Sequence, residues 1–96
     1  MMEFSHEPNR IFKEVDGKLL AEVTFPDIDD GQAYVIDHTF VDSSLRGQGI
    51  AGQLIQAVVT QARAEGKLLE PLCSYARHAF ATHPEYADVL RPTKEN

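Results

Sequence analysis

A glycine-rich segment carries the clearest chemical signal in the sequence. It reads Arg46-Gly47-Gln48-Gly49-Ile50-Ala51-Gly52 and directly precedes a stripe of apolar residues at helical spacing. The first turn of a helix has backbone N–H groups without an intrahelical acceptor, and its dipole favours negative charge. Glycines let a ligand approach that backbone closely. The segment predicts a phosphate or pyrophosphate site, and the alternative is a tight strand-to-helix connection that binds nothing.

Two motifs fit this segment. One is the dinucleotide fingerprint G-x-G-x-x-G, with Glu70 as a candidate ribose acceptor. Several residues separate it from the preceding strand, and the chain is too short for the two halves of a dinucleotide-binding fold, so this interpretation is disfavoured. The other motif is R/Q-x-x-G-x-G/A, which Arg46, Gly49 and Ala51 match.

Other kinds of site find little support. A zinc site at Cys73, His78 and His83 is disfavoured, because their spacing does not place them on one helical face and no second cysteine or early histidine pair completes a tetrahedral set. No lysine-serine pair follows Gly49, which excludes a P-loop. We therefore expect no metal.

The first half of the chain predicts a meander of antiparallel strands. Asp16-Gly17 separates two runs of alternating apolar and polar residues, Arg10–Val15 and Lys18–Phe25, and is a typical hairpin turn. A turn-rich loop over Pro26–Gly31 leads to Ala33–Val41, which is rich in β-branched and aromatic residues and predicts one longer strand. Strand alternation would place His38 on the face that carries Phe40 and Ile36.

The second half predicts a helix, a strand and a short helix. The helix begins at Ile50, and Gly66 is a natural stop for it. Lys67–Tyr75 predicts a strand with an edge or bulge at Pro71, and Arg77–His83 predicts a short helix. The helical stripe contains Ile50, Leu54, Ile55, Val58, Val59 and Ala62. The expected fold is a single-domain α/β structure with a mixed sheet, an antiparallel meander, one long central helix and a short C-terminal helix.

Length and composition limit the function further. The 96 residues suffice for one domain, expected over residues 9–91 between polar tails at 1–8 and 92–96. A net charge of −6 opposes non-specific binding to nucleic acid or to an anionic membrane. No apolar run is long enough for a membrane helix, and a single cysteine makes a cytoplasmic location the default expectation.

Four local patterns together resemble the GCN5-related N-acetyltransferases, and more narrowly their very short acetyltransferase-like branch. They are Asp37-His38-Thr39-Phe40-Val41, Arg46-Gly47-Gln48-Gly49-Ile50-Ala51, Pro71-Leu72-Cys73-Ser74-Tyr75 and His83-Pro84-Glu85-Tyr86. The resemblance extends from about Arg10 to Leu90. It implies a minimal acyl-CoA N-acyltransferase fold and the transfer of an acetyl group from acetyl-CoA to an amine.

The resemblance also implies where coenzyme A binds. In this superfamily the strand before the phosphate loop and the strand after the long helix splay apart, and pantetheine enters between them. Backbone contacts would come from Phe40 and Val41. Arg77 could contact a phosphate, or it could be an exposed cation on a short helix that contacts none. The pyrophosphate would lie on the segment formed by Arg46, Gly47, Gln48, Gly49, Ile50 and Ala51.

Three side chains are the candidate catalytic groups by the same resemblance. His38 is a candidate base, since its charge can change near neutral pH. Cys73 could accept the acetyl group or protonate departing CoA, and Tyr75 could serve as the acid instead. Two of them have a structural alternative: His38 could be a hydrogen-bonded strand histidine, and Cys73 a small buried apolar residue.

The acceptor is the open question. Longer relatives carry early helices that help to form the acceptor site, whereas here only a loop connects Phe25 to Ala33. The cleft is therefore expected to be open or to be completed by a second chain, so monomer and homodimer both remain possible. An open cleft favours a protein or peptide amine. The alternative function is a non-catalytic CoA-binding or protein-interaction module of the same fold.

Overall fold

Two small β-sheets pack against one long helix. The structure, a computed structural model, describes residues 2–92. Its strands are β1 (Ser5–Glu7), β2 (Arg10–Val15), β3 (Lys18–Thr24), β4 (Asp27–Ile28), β5 (Ala33–Ile36), β6 (His38–Val41) and β7 (Leu68–Pro71). Its α-helices are α1 (Ile50–Glu65) and α2 (Ser74–Thr82), and 3-10 turns cover Asp29–Gly31, Ser43–Leu45 and Pro84–Val89. The α/β class, the antiparallel meander, the long helix and the short helix are all confirmed. Among residues 2–92, no helix is long and apolar enough to cross a membrane.

The first sheet is antiparallel with strand order β1-β2-β3-β6. The hairpin of β2 and β3 is confirmed, and its turn residues Asp16 and Gly17 have φ values of 52° and 78°, as a type I′ turn requires. Residues 5–7, predicted as part of a polar tail, instead pair with β2. Phe4, next to them, packs against the core, which explains why this segment joins the sheet.

The predicted strand 33–41 is divided at Asp37 between the two sheets. β5 pairs in parallel with β7 and antiparallel with β4, whereas β6 pairs antiparallel with β3. The Ile36 carbonyl accepts hydrogen bonds from the N–H groups of both Leu72 and Cys73, at 3.0 Å each, and the pairing with β7 ends there. Beyond this point β6 pairs with β3 and not with β7, so the two halves of the predicted strand belong to different sheets.

The division at Asp37 also changes which side chains share a face. Ile36 is fully buried, but His38 and Phe40 are exposed. The prediction that these three residues lie on one face is therefore wrong, because alternation restarts after the break. Thr39, paired with the buried Val23, lies on the side of the sheet that faces the core.

Helix α1 covers one side of the core with its apolar stripe, as the sequence predicts. All six residues of that stripe are buried, and Gly66 ends the helix in a left-handed conformation while its N–H donates to the Ala62 and Arg63 carbonyls. The helix packs on strands of both sheets. The core beneath it includes Phe25, Ile11, Ile36 and Leu69.

The strand predicted over 67–75 is shorter than expected. β7 ends at Pro71, and Cys73 is the N-cap of α2, which contains Tyr75 in its first turn. Cys73 and Tyr75 therefore do not lie on a strand, because the Cys73 sulfur accepts the Ala76 N–H and starts the helix. The predicted helix 77–83 begins three residues earlier, at Ser74. Of the predicted tail 92–96, residues 93–96 lie outside the described part of the chain.

Candidate functional site

A cleft of about 260 Å³ opens at the N terminus of α1. We call it the α1 cleft. Its walls come from the end of β6, from the loop that leads into α1, from the first turn of α1 and from the first turn of α2. The lining residues are Val41, Leu45, Arg46, Gly47, Gly49, Ile50, Ala51, Gly52 and Tyr75. Most of the predicted phosphate segment therefore lies on one surface.

The first turn of α1 is open to a ligand. Its N-cap is Gly49, with φ of 73°, and no side chain accepts a hydrogen bond from the turn. A Cβ atom built on Gly49 would meet nothing within 4 Å, so the space in front of the turn is free. Uncapped N–H groups, the positive end of the helix dipole and the nearby Arg46 side chain together fit an anion.

The loop before α1 is held by Asp42. The Asp42 carboxylate accepts hydrogen bonds from the Ser44 backbone N–H at 3.1 Å and from the Ser44 hydroxyl at 2.6 Å, and these bonds lower the pKa of Asp42. The Asp42 N–H donates to the Leu20 carbonyl at 2.8 Å. These contacts fix the loop to the sheet and thereby position Arg46 at the edge of the cleft.

Cys73, the N-cap of α2, lies next to β6. The Cys73 Sγ atom lies 3.3 Å from the Thr39 hydroxyl, and it accepts the Ala76 N–H at 3.4 Å. Cys73 is half-buried and packs against the core. Tyr75, two residues further on, is 49% exposed and lines the α1 cleft. A thiol and a phenol thus lie on the side of β6 that faces α1.

His38 lies on the opposite face of β6. Its side chain is 54% exposed, and its Nε2 atom is 3.4 Å from the Glu22 carboxylate. Because neighbouring residues of a strand point to opposite faces, His38 and the Thr39–Cys73 pair flank β6 from two sides. The three candidate catalytic residues therefore form two groups rather than one cluster.

The other predicted binding residues are placed as follows. Val41 lines the α1 cleft, whereas the Phe40 side chain is 37% exposed on the face that carries His38. Gln48 is exposed beside the cleft without lining it, and Arg77 is an exposed residue of α2. In the described part of the chain, no group of three or more histidine, cysteine or acidic side chains is arranged to hold a metal ion.

Sequence reasoning missed two polar residues at this site, Thr39 and Glu22. Thr39 could have been found from alternation, since it is the inward neighbour of His38. Glu22 has no motif of its own, and its position beside His38 depends on the register of β3 against β6. That register depends on the break at Asp37, which the sequence pattern does not mark.

Comparison with known proteins points to one family. The family model described as GCN5-related N-acetyl-transferase matches residues 10–89. Among curated proteins, none matches the chain. The fold is similar to the NMR solution structure of a GCN5-like protein from Staphylococcus aureus, with 30% identity, a TM-score of 0.76, and coverage of 98% of this chain and 92% of that one.

Longer solved structures share the same fold. A ribosomal-protein-alanine N-acetyltransferase from Brucella melitensis biovar Abortus 2308 is 25% identical with a TM-score of 0.57, and the match covers 91% of this chain and 65% of that one. A predicted acetyltransferase with acetyl-CoA from Clostridium acetobutylicum is 16% identical with a TM-score of 0.57, and the match covers 91% and 60% of the two chains. The present chain thus spans a little under two thirds of these two proteins.

Proposed function

Because this chain belongs to the GCN5-related N-acetyl-transferase family, we propose that it transfers the acetyl group of acetyl-CoA to an amine. The observation that carries the proposal is the uncapped, glycine-lined first turn of α1, which opens into the same cleft as Val41 of β6 and Tyr75 of α2. One end of the site fits a pyrophosphate and the other holds groups suited to acyl transfer. The structure with acetyl-CoA from Clostridium acetobutylicum has the same fold.

The shape and charge of the cleft support the binding of acetyl-CoA. The backbone N–H groups of Gly47 to Ala51 and the guanidinium of Arg46 would hold the pyrophosphate. The pantetheine arm would run along β6, which is an edge strand of the first sheet and could offer backbone groups of Phe40 and Val41. The thioester would then lie next to the Thr39 and Cys73 side chains, which contact each other.

The two faces of β6 suggest a division of roles in the reaction. The amine nitrogen attacks the thioester carbonyl carbon, the C–S bond breaks, and CoA departs as a thiolate. On the exposed face, His38 would accept the proton that the amine loses. On the face toward α1, Cys73 or Tyr75 would give a proton to the departing thiolate. In a covalent variant of this route, the Cys73 thiolate first takes the acetyl group and the amine then removes it.

The second candidate function is a CoA-binding module without turnover. The specific observation in its favour is the separation of His38 from Cys73 by the thickness of β6. The connection from Phe25 to β5 also contains only the short strand β4 and one 3-10 turn, so no helix in this stretch of the chain covers an acceptor. Firm binding of CoA without product from any amine would favour this function.

The experiment that tests the proposed function is a thermal-shift series followed by an acceptor screen. CoA, acetyl-CoA and NAD are compared at equal concentrations, since a ligand at a hundred times its Kd stabilises the folded state by about 2.7 kcal/mol. We expect a shift with both CoA forms and none with NAD. Free thiol release is then measured with acetyl-CoA and a panel of peptide and small amines. The absence of any CoA shift would contradict the proposal.

A further inference from the structure

The face of the first sheet that points away from α1 carries a connected set of charged side chains. Cross-strand pairing places Arg10 opposite Thr24, and Thr24 opposite His38, while Glu22 lies opposite Phe12 and Phe40. These residues share one face because paired residues in an antiparallel sheet point the same way. His38, the candidate base, is therefore part of a row of polar side chains and does not project alone from the strand.

Glu22 is the centre of this set. One of its carboxylate oxygens, Oε2, accepts the Arg10 Nε–H at 2.5 Å, and the other, Oε1, lies 3.4 Å from His38 Nε2. The Glu22 side chain is only 16% exposed. Arg10 is itself held over the Phe12 ring, 3.8 Å from its centroid, and the pKa of Arg10 is raised chiefly by its hydrogen bond to Glu22. One carboxylate oxygen of Glu22 thus binds Arg10, and the other lies next to His38.

We propose that Glu22, held by Arg10, is a positioning residue for His38. The proposal rests on the proposed acetyl transfer, in which His38 accepts the proton of the attacking amine. The 3.4 Å contact is electrostatic, and a carboxylate, which can only accept hydrogen bonds, favours the tautomer with the ring proton on the nitrogen next to it, Nε2. The lone pair of the neutral ring then lies on Nδ1, which is the atom that takes the amine proton. Glu22 selects this tautomer and limits rotation of an otherwise exposed ring.

The contact with Arg10 explains how Glu22 can keep one orientation on the outer face of the sheet. A free glutamate on a strand would sample several rotamers and would give the imidazole no fixed direction. The guanidinium restrains one oxygen and partly balances the carboxylate charge. The other charged groups near this row are Glu7, 3.6 Å from Arg10, and Asp37, whose carboxylate accepts the Thr24 hydroxyl at 2.6 Å. Each of these has its own partner, and among residues 2–92 Glu22 is the only carboxylate that forms an ion pair with His38.

The test compares Glu22→Gln with Glu14→Gln. Both remove a carboxylate from the same sheet, but Glu14 is exposed on β2 and enters none of the ion pairs found among residues 2–92. The first readout needs no turnover: three-bond couplings from the His38 Cγ to backbone N and C′ report averaging of its side-chain rotamer. We expect one dominant rotamer in the wild type and in Glu14→Gln, and averaged couplings in Glu22→Gln.

The second readout is kinetic, with acetyl-CoA and the best amine of the acceptor screen. Glu22→Gln should lower kcat by about 10- to 100-fold, short of the about 10²–10⁴-fold expected for loss of a general base, and leave the KM for acetyl-CoA unchanged. In a His38→Ala background the same change should have no further effect on kcat, because there is no ring left to position. A purely structural Glu22 would lower activity equally in both backgrounds.

Unchanged couplings of His38 in Glu22→Gln would overturn the proposal, and so would an equal effect of the substitution with and without His38. Thermal unfolding of each variant shows whether a loss reflects the lost Arg10 pair alone. If the wild type binds acetyl-CoA but acetylates no amine, the proposed function fails instead. In that case the couplings still decide whether Glu22 orients His38.

Discussion

The Thr39 hydroxyl lies 3.3 Å from the Cys73 sulfur, and this contact joins β6 to the start of α2. It brings together two side chains of different elements, one of which is a candidate catalytic group. Cys73 has a second role there, because its sulfur also accepts the Ala76 N–H as the N-cap of α2. The same residue therefore caps the helix and is the candidate nucleophile or acid for acyl chemistry.

Substitution of Cys73 should separate these two roles. Cys73→Ala removes both, so we expect lower turnover and a loss of stability of about 1 kcal/mol, which is typical for the loss of a helix cap. Cys73→Ser keeps an oxygen that caps well, and should retain stability while turnover still falls. CoA affinity should be unchanged in both. Denaturant unfolding, CoA titration and thiol release measure the three quantities.

Full activity in a folded Cys73→Ser variant would return Cys73 to a structural role and leave Tyr75 as the candidate acid. Intact mass after incubation with acetyl-CoA adds a direct check for the covalent route. An acetyl adduct that is absent in Cys73→Ser would support an acyl-cysteine intermediate.

A charge placed at Gly49 should weaken CoA binding. Gly49→Asp puts a carboxylate in front of the open first turn of α1, where it caps the free N–H groups and repels phosphate. Gly49→Asn has nearly the same size, and asparagine tolerates the left-handed conformation found here better than most residues. We expect the Asp variant to bind CoA at least about tenfold more weakly than the Asn variant, a difference of about 1.4 kcal/mol.

Gly66→Asp is a further control for backbone strain. Gly66 also has a left-handed conformation, with φ of 69°, and open space around it, but it lies at the other end of α1. A titration of CoA by calorimetry compares the three variants. Equal affinity of Gly49→Asp and the wild type would mean that the phosphate groups do not bind at this turn.

The elements that the sequence predicts well are those with a local signal. The stripe from Ile50 to Ala62 repeats at helical spacing and ends at a glycine, so both the helix and its buried face follow from the pattern. Asp16-Gly17 likewise defines the hairpin, since only a few residue types tolerate two consecutive positive φ angles. In both cases the information lies within a few residues of the element.

The errors arise where tertiary contacts decide. The run from Ala33 to Val41 has uniform β propensity, and nothing within it indicates that its two halves join different sheets. Cys73 and Tyr75 follow apolar residues that suit a strand, but the buried Ala76 and Ala79, three residues apart, are the helical signal that prevails. The error at Asp37 also changes the site, because the break there separates His38 from Cys73 and brings Glu22 beside His38.

The N-terminal strand should contribute to stability, in contrast to the predicted tail. Phe4 packs against the core next to β1, whereas Ser5 is exposed. Phe4→Ala should therefore lower the free energy of unfolding by about 1–2 kcal/mol, and the Tm by roughly 4–8 °C per kcal/mol for a domain of this size. Ser5→Ala should change neither. Equal stability of the two variants would show that these residues act as a tail.

The ion pair between Arg63 and Asp88 should make stability depend on pH. Arg63 donates two hydrogen bonds to the Asp88 carboxylate, at 2.9 Å and 2.8 Å, and they lower the pKa of Asp88 while raising that of Arg63. A carboxyl group whose pKa is lowered by folding stabilises the folded state above its ordinary pKa of 3.8. This contribution is lost as the pH falls from that value through the lower pKa of the folded state.

Asp88→Asn should therefore lower the Tm slightly at pH 7, and the difference from the wild type should shrink as the pH falls below 3.8. Both groups are solvent-exposed, so the effect should also shrink in high salt. Glu14→Gln is the matched control, since its carboxylate is exposed on β2 and its removal should leave the Tm nearly constant across the same pH range. A Tm difference for Asp88→Asn that is independent of pH and salt would assign its effect to packing between α1 and the 3-10 turn Pro84–Val89 rather than to charge.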